Sequence, residues 1–208
     1  MPSVDFRLYL VTDRHQTTGR PLLSVVGRAV RAGVRAVQLR ERDLSTRELL
    51  VLTTEFQREM PEAKLFINDR VDLALALGTQ GVHLREGSLP TPVARGLLRP
   101  KQLLGRSVHS LQGVAAAERQ GADFVVLGPI YETPSKQAYG PPLGLGLLEQ
   151  AARTARIPIF AIGGITGARV REVRGAGGFG IAVLSSILSA SNVEQATDAL
   201  CSAIELAG

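Results

Sequence analysis

Short apolar runs and longer amphipathic segments alternate along the chain. The short runs are rich in aliphatic and β-branched residues, which is typical of strands buried on both faces. The longer segments repeat apolar residues with helical period. This alternation predicts βα units around a parallel sheet. The strands are predicted at 8–12, 36–40, 64–68, 81–84, 103–108, 123–128, 157–163 and 179–184.

Helical segments fill the intervals between these strands, and Ser45, Ser110 and Thr166 stand where helix N-caps belong. Eight units of about 25 residues each account for the 208 residues. This favours a single TIM-barrel domain, a (β/α)8 barrel over residues 1–208, rather than an open sheet. The helices are predicted at roughly 21–32, 45–59, 70–77, 90–98, 111–120, 144–155, 167–175 and 192–206.

The position of the glycines supports the barrel. An open dinucleotide-binding sheet usually has its Gly-rich turn after the first strand, whereas here a double glycine follows the seventh and two serines follow the eighth. Barrels often bind phosphate at these two strand ends, where bare N–H groups meet helix N-termini. The predicted phosphate-binding residues are Gly163, Gly164, Ser185 and Ser186.

The formal net charge of +5 comes mainly from arginine, and the arginines are scattered rather than gathered in one run. Aromatic residues make up 4% of the chain, too few for a base-stacking surface, so no nucleic-acid partner is expected. Phosphorylated metabolites fit this balance better. The alternative is a solvated basic surface with no specific partner.

Other features of the sequence indicate the cellular setting. No apolar run approaches the roughly 20 residues of a membrane-spanning helix, and the first residues lack the order of a signal peptide. Cys201 is the single cysteine and cannot form an intramolecular disulfide. We therefore expect a cytoplasmic protein that does not bind membranes.

Polar side chains follow the second predicted strand. Alternation places Gln38, Arg40 and Arg42 on one side, where guanidinium groups would suit phosphate or carboxylate recognition. The alternative is a surface ion-pair cluster of these arginines with Glu41 and Asp43.

Asn68 and Asp69 end the third strand, and together they could hold a metal or the polar edge of a heterocycle. Asp69 also stands just before a predicted helix, so a capping role is the alternative.

The fifth strand ends with Ser107 and His109 two residues apart, hence on one side. His109 is the candidate general acid or base, because an ordinary histidine titrates near neutral pH; a purely structural histidine is the alternative. His83, inside an apolar strand, is expected to be packed or hydrogen-bonded, and no partner is evident for His15. No zinc-binding pattern occurs.

The segment after the sixth strand is long and polar. Thr133, Ser135 and Lys136 would form a cradle for a phosphate or diphosphate, on a loop that we interpret as a lid. A disordered surface loop is the alternative.

The segments LYLVTDR, QLRER, FINDRVDLALALGTQGVHL, GRSVHS, GPIYETPSK, AIGGIT and IAVLSSIL resemble the thiamine phosphate synthase and TenI superfamily over nearly the whole chain. The resemblance implies a homodimeric barrel that binds a phosphorylated thiazole. Synthases of this superfamily couple hydroxymethylpyrimidine diphosphate to thiazole phosphate, with Mg²⁺ bridging the diphosphate and two aspartates. Of their pattern this sequence keeps Gln38, Arg40, Asn68, Asp69, Thr133, Ser135 and Lys136.

The departures lie where the resemblance places the metal. Ser88 occupies the second aspartate position, Arg85 adds positive charge, and Arg42 replaces a lysine. Asp69 would then be a metal ligand only in a synthase, with Glu86 as a substitute partner. These departures resemble the TenI branch, the thiazole tautomerases, which need no metal.

The main prediction from the sequence is therefore a thiazole tautomerase, an isomerase in which His109 moves the proton that aromatises a carboxythiazole phosphate and no cofactor is required. The alternative is a thiamine phosphate synthase, a transferase that uses Mg²⁺ and a pyrimidine diphosphate substrate. A third hypothesis is a non-catalytic barrel that binds thiazole phosphate and regulates a partner.

Overall fold

The structure is a computed structural model that describes residues 4–133 and 141–207. Within these residues, eight parallel strands close into a barrel in chain order, and the first strand pairs with the last. The predicted (β/α)8 barrel is confirmed. The strands are β1 Leu8–Val11, β2 Ala36–Leu39, β3 Lys64–Asn68, β4 Gly81–Leu84, β5 Leu103–Val108, β6 Phe124–Leu127, β7 Ile159–Ile162 and β8 Gly180–Val183.

The described residues form nine α-helices, eight of which match the predicted segments. The additional one, α8, is a single turn after β8, and a 3-10 turn, Arg14–Gln16, follows β1. The helices are α1 Leu22–Arg31, α2 Thr46–Glu59, α3 Val71–Leu77, α4 Thr91–Leu97, α5 Leu111–Arg119, α6 Gly144–Thr154, α7 Gly167–Gly175, α8 Ser185–Leu188 and α9 Val193–Leu206. No helix in the described ranges is both long enough and apolar enough to cross a membrane.

The predicted helix caps differ in outcome. Ser45 forms a capping box with Glu48, and the Ser110 side chain accepts a hydrogen bond from the Gly113 N–H. Both therefore satisfy main-chain donors that the first helical turn leaves unpaired. Thr166 occupies the N-cap position of α7, but its side chain makes no capping bond.

Aromatic rings fill the inside of the barrel. Phe6, Tyr9, Phe66, Phe124 and Phe160 pack with ring centroids 5.2 to 6.0 Å apart. The rings fit only because the neighbouring strand β5 has a glycine, Gly105, beside them. A Cβ at this position would lie 2.4 Å from the Phe124 ring. Because aromatic rings fill this interior and aliphatic side chains pack between strands and helices, substrates would bind at the carboxyl ends of the strands.

Candidate active site

A chain of hydrogen-bonded polar side chains crosses the ends of β2 and β3. The Gln38 Nε2 atom donates to Asn68 Oδ1 over 2.9 Å, and Asn68 Nδ2 donates to Asp69 Oδ2 over 3.1 Å. Gln38 and Asn68 are both buried, so each amide needs these partners. Three residues predicted for the site thus lie together, in fixed orientations.

Asp69 connects this chain to the turn after β4. Its Oδ1 atom accepts hydrogen bonds from the main-chain N–H of Arg85, at 3.1 Å, and from the Ser88 hydroxyl, while Oδ2 accepts one from Arg85 Nε. Burial opposes the charge of Asp69, but the bonds from Ser88 and Arg85 outweigh it and hold the pKa of the carboxyl below its usual value. Asp69 has a left-handed backbone, with φ of 60°.

The capping alternative for Asp69 is wrong. Helix α3 begins at Val71, its N-cap is Arg70, and no side chain makes a capping bond there. The physical reason is that the left-handed backbone of Asp69 directs its carboxylate to the β4 turn instead of the helix N-terminus.

These residues do not fit a protein-held Mg²⁺. A carboxylate offers about four acceptor positions, and the four hydrogen bonds from Asn68, Arg85 and Ser88 use them all. Ser88 donates to Asp69 instead of adding a second carboxylate, and the Glu86 side chain is 76% exposed. Within residues 4–133 and 141–207, no three His, Cys, Asp or Glu side chains gather as a metal site.

The alternative that Arg40 and Arg42 form ion pairs with Glu41 and Asp43 is also wrong, because both carboxylates bind Arg14 instead. Buried Glu41 accepts hydrogen bonds from the Thr12 hydroxyl, at 2.6 Å, and from the Arg14 N–H, at 3.0 Å. The Arg14 guanidinium lies 2.5 Å from Asp43 Oδ1, and His15 Nε2 lies 3.0 Å from Asp43 Oδ2. Hydrogen bonds from Arg14 and His15 hold the pKa of Asp43 far below its usual value.

Arg40, Arg42 and Arg85, here called the arginine cluster, concentrate positive charge at the site. Burial lowers the pKa of Arg40, and the charges of Arg42 and Arg85 lower it further, so Arg40 lies within electrostatic reach of both. In the described part of the chain, no residue accepts a hydrogen bond from the Arg40 guanidinium. The cluster therefore offers unused donors to an anion.

His109 lies just beyond β5 and contacts the end of the neighbouring strand. Its Nδ1 atom lies 2.5 Å from the carbonyl oxygen of Gly128. Because a carbonyl only accepts, Nδ1 carries the proton of this hydrogen bond, and Nε2 lies 4.0 Å from Glu86 Oε2. The contact joins β5 to residues 128–133, here called the β6 loop.

Ser107 contacts a histidine inside the barrel. His83 is buried, as predicted, and its Nε2 atom lies 3.0 Å from Ser107 Oγ. Burial lowers the pKa of His83 to about 3, so the ring is neutral near pH 7. His83 therefore orients Ser107 and is not a charged group of the site.

The residues predicted to bind phosphate follow β7 and β8. Gly163 and Gly164 have φ of 97° and 66°, and a Cβ on Gly164 would lie 2.7 Å from the Glu132 carbonyl oxygen. Ser185 and Ser186 begin α8, whose first main-chain bonds are donated by Ile187 and Leu188, which leaves the two serine N–H groups without a helical acceptor. Ser186 Oγ donates to the Ile165 carbonyl over 2.6 Å and thus joins the two turns.

Tyr131, Arg169 and Glu172, none of which was predicted for the site, anchor the β6 loop to the turn after β7 and to helix α7. Tyr131 donates to Glu172 over 2.8 Å, and the Arg169 guanidinium lies 4.3 Å from the Tyr131 ring centre. Arg169 also donates to the Gly164 carbonyl over 2.6 Å. Of the site residues predicted after the sixth strand, Thr133 is partly buried, while Ser135 and Lys136 lie outside the described residues.

Comparisons with known proteins identify the family. Residues 8–187 match the family model for thiamine monophosphate synthase. A putative thiamine-phosphate synthase of Geobacter sulfurreducens is 51% identical over 191 residues, which are 91% of this chain and 90% of the relative. The thiamine-phosphate synthase of Syntrophomonas wolfei is 40% identical over 196 residues, 93% and 94% of the two chains. The solved structure of a thiamine phosphate pyrophosphorylase from Pyrococcus furiosus superposes with a TM-score of 0.86 at 34% identity, covering 97% and 96%.

The prediction that the enzyme is a thiazole tautomerase is wrong, since the two bacterial relatives carry thiamine-phosphate synthase names at 51% and 40% identity. The prediction gave too much weight to Ser88 and Arg85, which change the surroundings of one carboxylate, Asp69. It also relied on His109, whose Nδ1 atom bonds the β6 loop, a contact that does not depend on tautomerase chemistry. By family model and by identity, the chain belongs to the thiamine monophosphate synthase family.

Proposed function

We propose that this protein is a thiamine-phosphate synthase that joins hydroxymethylpyrimidine diphosphate to thiazole phosphate and releases pyrophosphate. The observation that supports the proposal is that groups suited to binding anions lie at two opposite sides of the barrel opening. The arginine cluster lies at β2–β4, and the glycine and serine turns follow β7 and β8. In a closed eight-stranded barrel, β3 and β7 are four strands apart and face each other. A reaction of two phosphorylated substrates needs two such regions.

The diphosphate belongs on the arginine side. Arg40 and Arg42 supply guanidinium donors, and Arg14 keeps the neighbouring carboxylates from competing for them. We assign Thr133 of the β6 loop, and Ser135 and Lys136 shortly after it in the sequence, to the same anion. Their two hydroxyls and one ammonium group suit phosphate oxygens.

The thiazole phosphate belongs on the opposite side. The N–H groups at Gly163, Gly164, Ser185 and Ser186 would hold its phosphate, because helix N-termini favour anions and glycine permits a close approach. Arg169 stabilises this turn through the Gly164 carbonyl.

The pyrimidine ring would lie between the two anions, against the buried amides. Gln38 and Asn68 hold each other in one orientation, so a heterocycle with donors and acceptors on its edge meets fixed partners. Ser107, oriented by His83, supplies a hydroxyl on the same face.

The chemistry requires charge stabilisation rather than proton removal. The bond between the pyrimidine methylene carbon and the diphosphate oxygen breaks, and its electron pair leaves with pyrophosphate. The thiazole nitrogen then forms the new C–N bond with its own lone pair. Guanidinium donors on the departing diphosphate lower the barrier. His109 is not needed as a base, and we assign it the positioning of the β6 loop through Gly128.

A genetic experiment tests the proposed function. The gene is expressed in a bacterium that lacks its own thiamine-phosphate synthase, and growth without thiamine is measured. Wild type should restore growth, and Arg40→Gln should not. Arg28→Gln, which removes an equal charge from an ion pair with Glu194 on α1 and α9, should behave as wild type. If cells with well-expressed wild-type protein still require thiamine, the proposal is wrong.

A homodimer is part of the proposal. Val93 and Leu97 on α4 are 50% and 54% exposed, and Leu89, just before the helix, is 38% exposed. Their spacing of four residues forms an apolar stripe that a second copy would cover. Light scattering should give the mass of two chains, and Val93→Glu with Leu97→Glu should reduce it to one.

A further inference from the structure

We infer that the guanidinium of Arg85 binds the substrate's diphosphate directly and performs the charge neutralisation otherwise supplied by a divalent metal, so that coupling does not require Mg²⁺. The inference rests on the proposed function, since it concerns the leaving group of that reaction. The ligand it assigns to Arg85 is a diphosphate ester or free pyrophosphate.

The first support is the way in which Arg85 is held. Asp69 accepts hydrogen bonds from the main-chain N–H of Arg85 and from its Nε atom. One carboxylate therefore fixes both the main chain and the guanidinium group of Arg85. The two terminal nitrogens donate to no residue in the described ranges. The side chain is 51% exposed at the barrel opening. A positioned guanidinium with free terminal donors is well suited to phosphate oxygens.

The second support is the cost of placing a metal there. A cation bound to Asp69 would have to displace Arg85 and the Ser88 hydroxyl, which already occupy that carboxylate with Asn68. Three guanidinium groups would then repel it, since Arg40 lies within electrostatic reach of both Arg42 and Arg85. The carboxylates that could offset this repulsion, Glu41 and Asp43, are bound to Arg14.

The reaction balances without a metal. When the carbon–oxygen bond breaks, negative charge grows on the departing diphosphate, and fixed guanidinium groups stabilise it as they do in other phosphate chemistry. The protein gives up and takes up no electrons. Arg85 stays protonated throughout.

The experiment compares coupling rates and pyrophosphate binding in excess EDTA and in buffered Mg²⁺. Wild type should change its kcat/KM by less than about threefold between the two, and it should bind pyrophosphate in EDTA by calorimetry. Arg85→Gln should weaken that binding by about tenfold or more, and Arg85→Lys should recover part of it. The matched control is Arg70→Gln, because Arg70 pairs with Asp72 beside the same strand end.

A second variant tests the same idea in the opposite direction. Arg85→Gly combined with Ser88→Asp removes the guanidinium and supplies a second carboxylate beside Asp69. This protein should bind Mn²⁺ in electron paramagnetic resonance titrations and couple substrates only when a divalent metal is present. Wild type should bind no Mn²⁺ in the absence of diphosphate.

The possible outcomes separate the inference from the proposed function. Wild-type coupling that is abolished by EDTA and restored by Mg²⁺ overturns the inference and leaves the synthase proposal standing. Equal pyrophosphate affinity of wild type and a folded Arg85→Gln protein also overturns it. No coupling under either condition overturns the synthase proposal. The comparison of pyrophosphate binding by wild type and Arg85→Gln in EDTA then still tests whether Arg85 binds diphosphate.

Discussion

Arg14 holds the buried carboxylate of Glu41 through its main-chain N–H at 3.0 Å. Its guanidinium reaches both Glu41, at 3.4 Å, and Asp43, at 2.5 Å. Arg14, in the segment after β1, therefore neutralises both acidic groups that flank Arg42. The positive character of the site thus depends on a residue that need not touch the substrate.

Arg14→Met should accordingly weaken diphosphate binding. Asp43 loses its guanidinium partner and keeps only His15, so it can pair with Arg42, while Glu41 keeps the hydrogen bonds from Thr12 and the main chain. We expect the pyrophosphate dissociation constant to rise by about tenfold, measured by calorimetry. Arg28→Met carries the same charge change at a distant ion pair. Equal effects of the two substitutions would show that only net charge matters.

Gly164→Ala should reduce affinity for thiazole phosphate. The position has φ of 66°, and a Cβ there would lie 2.7 Å from the Glu132 carbonyl oxygen and 2.8 Å from Tyr131 Cβ. The turn or the β6 loop must therefore move, which should cost about tenfold in affinity. Gly146→Ala is the control, since a Cβ there meets nothing within 4 Å. Unchanged thiazole phosphate binding by Gly164→Ala would remove this turn from the site.

His109→Ala and His109→Asn should differ, because only asparagine keeps an N–H donor near the Gly128 carbonyl. We expect alanine to lower kcat/KM for the diphosphate substrate by about tenfold and asparagine to retain most of it. Steady-state kinetics with both substrates measures the difference. Equal losses in the two variants would indicate that the imidazole itself takes part in the chemistry.

His83 should make the stability of the fold depend on pH. Burial lowers the pKa of His83 to about 3, whereas an unfolded histidine titrates near pH 6.5. Between these values the unfolded state binds a proton that the folded state does not, so the unfolding free energy falls as the pH falls, by about 1.4 kcal/mol per pH unit.

Urea unfolding of wild type and His83→Gln between about pH 6 and pH 4 measures this contribution. Glutamine keeps a donor for Ser107 but does not titrate. The difference between the two unfolding free energies should therefore shrink as the solution becomes more acidic. A constant difference would mean that His83 is not held neutral in the fold.

The barrel was predictable because each strand and helix has its own periodic pattern. Several strands are shorter than predicted at their carboxyl ends: Arg40, Gly128 and Gly163 lie just beyond β2, β6 and β7. Helix α8 has four residues, too few for a helical period to be visible. Local patterns therefore indicate the elements more reliably than their ends.

The site was less predictable because its contacts join residues distant in the sequence. Asp69 meets Arg85 and Ser88 because β3 and β4 pair with Asn68 opposite His83, a register that spacing alone does not supply. Arg14 and Glu41 are brought together in the same way by β1 and β2. The residue types at strand ends predict that anions bind there. Which charged side chains pair with each other depends on the fold, because strand pairing decides which residues meet.

The most direct test of the synthase proposal is to mix the purified protein with hydroxymethylpyrimidine diphosphate and thiazole phosphate in Mg²⁺-containing buffer and follow the reaction by phosphorus NMR. Thiamine phosphate and pyrophosphate should appear in equal amounts, and Arg40→Gln should abolish both. Full occupancy by both substrates with neither product formed would contradict the proposal that this barrel is a thiamine-phosphate synthase.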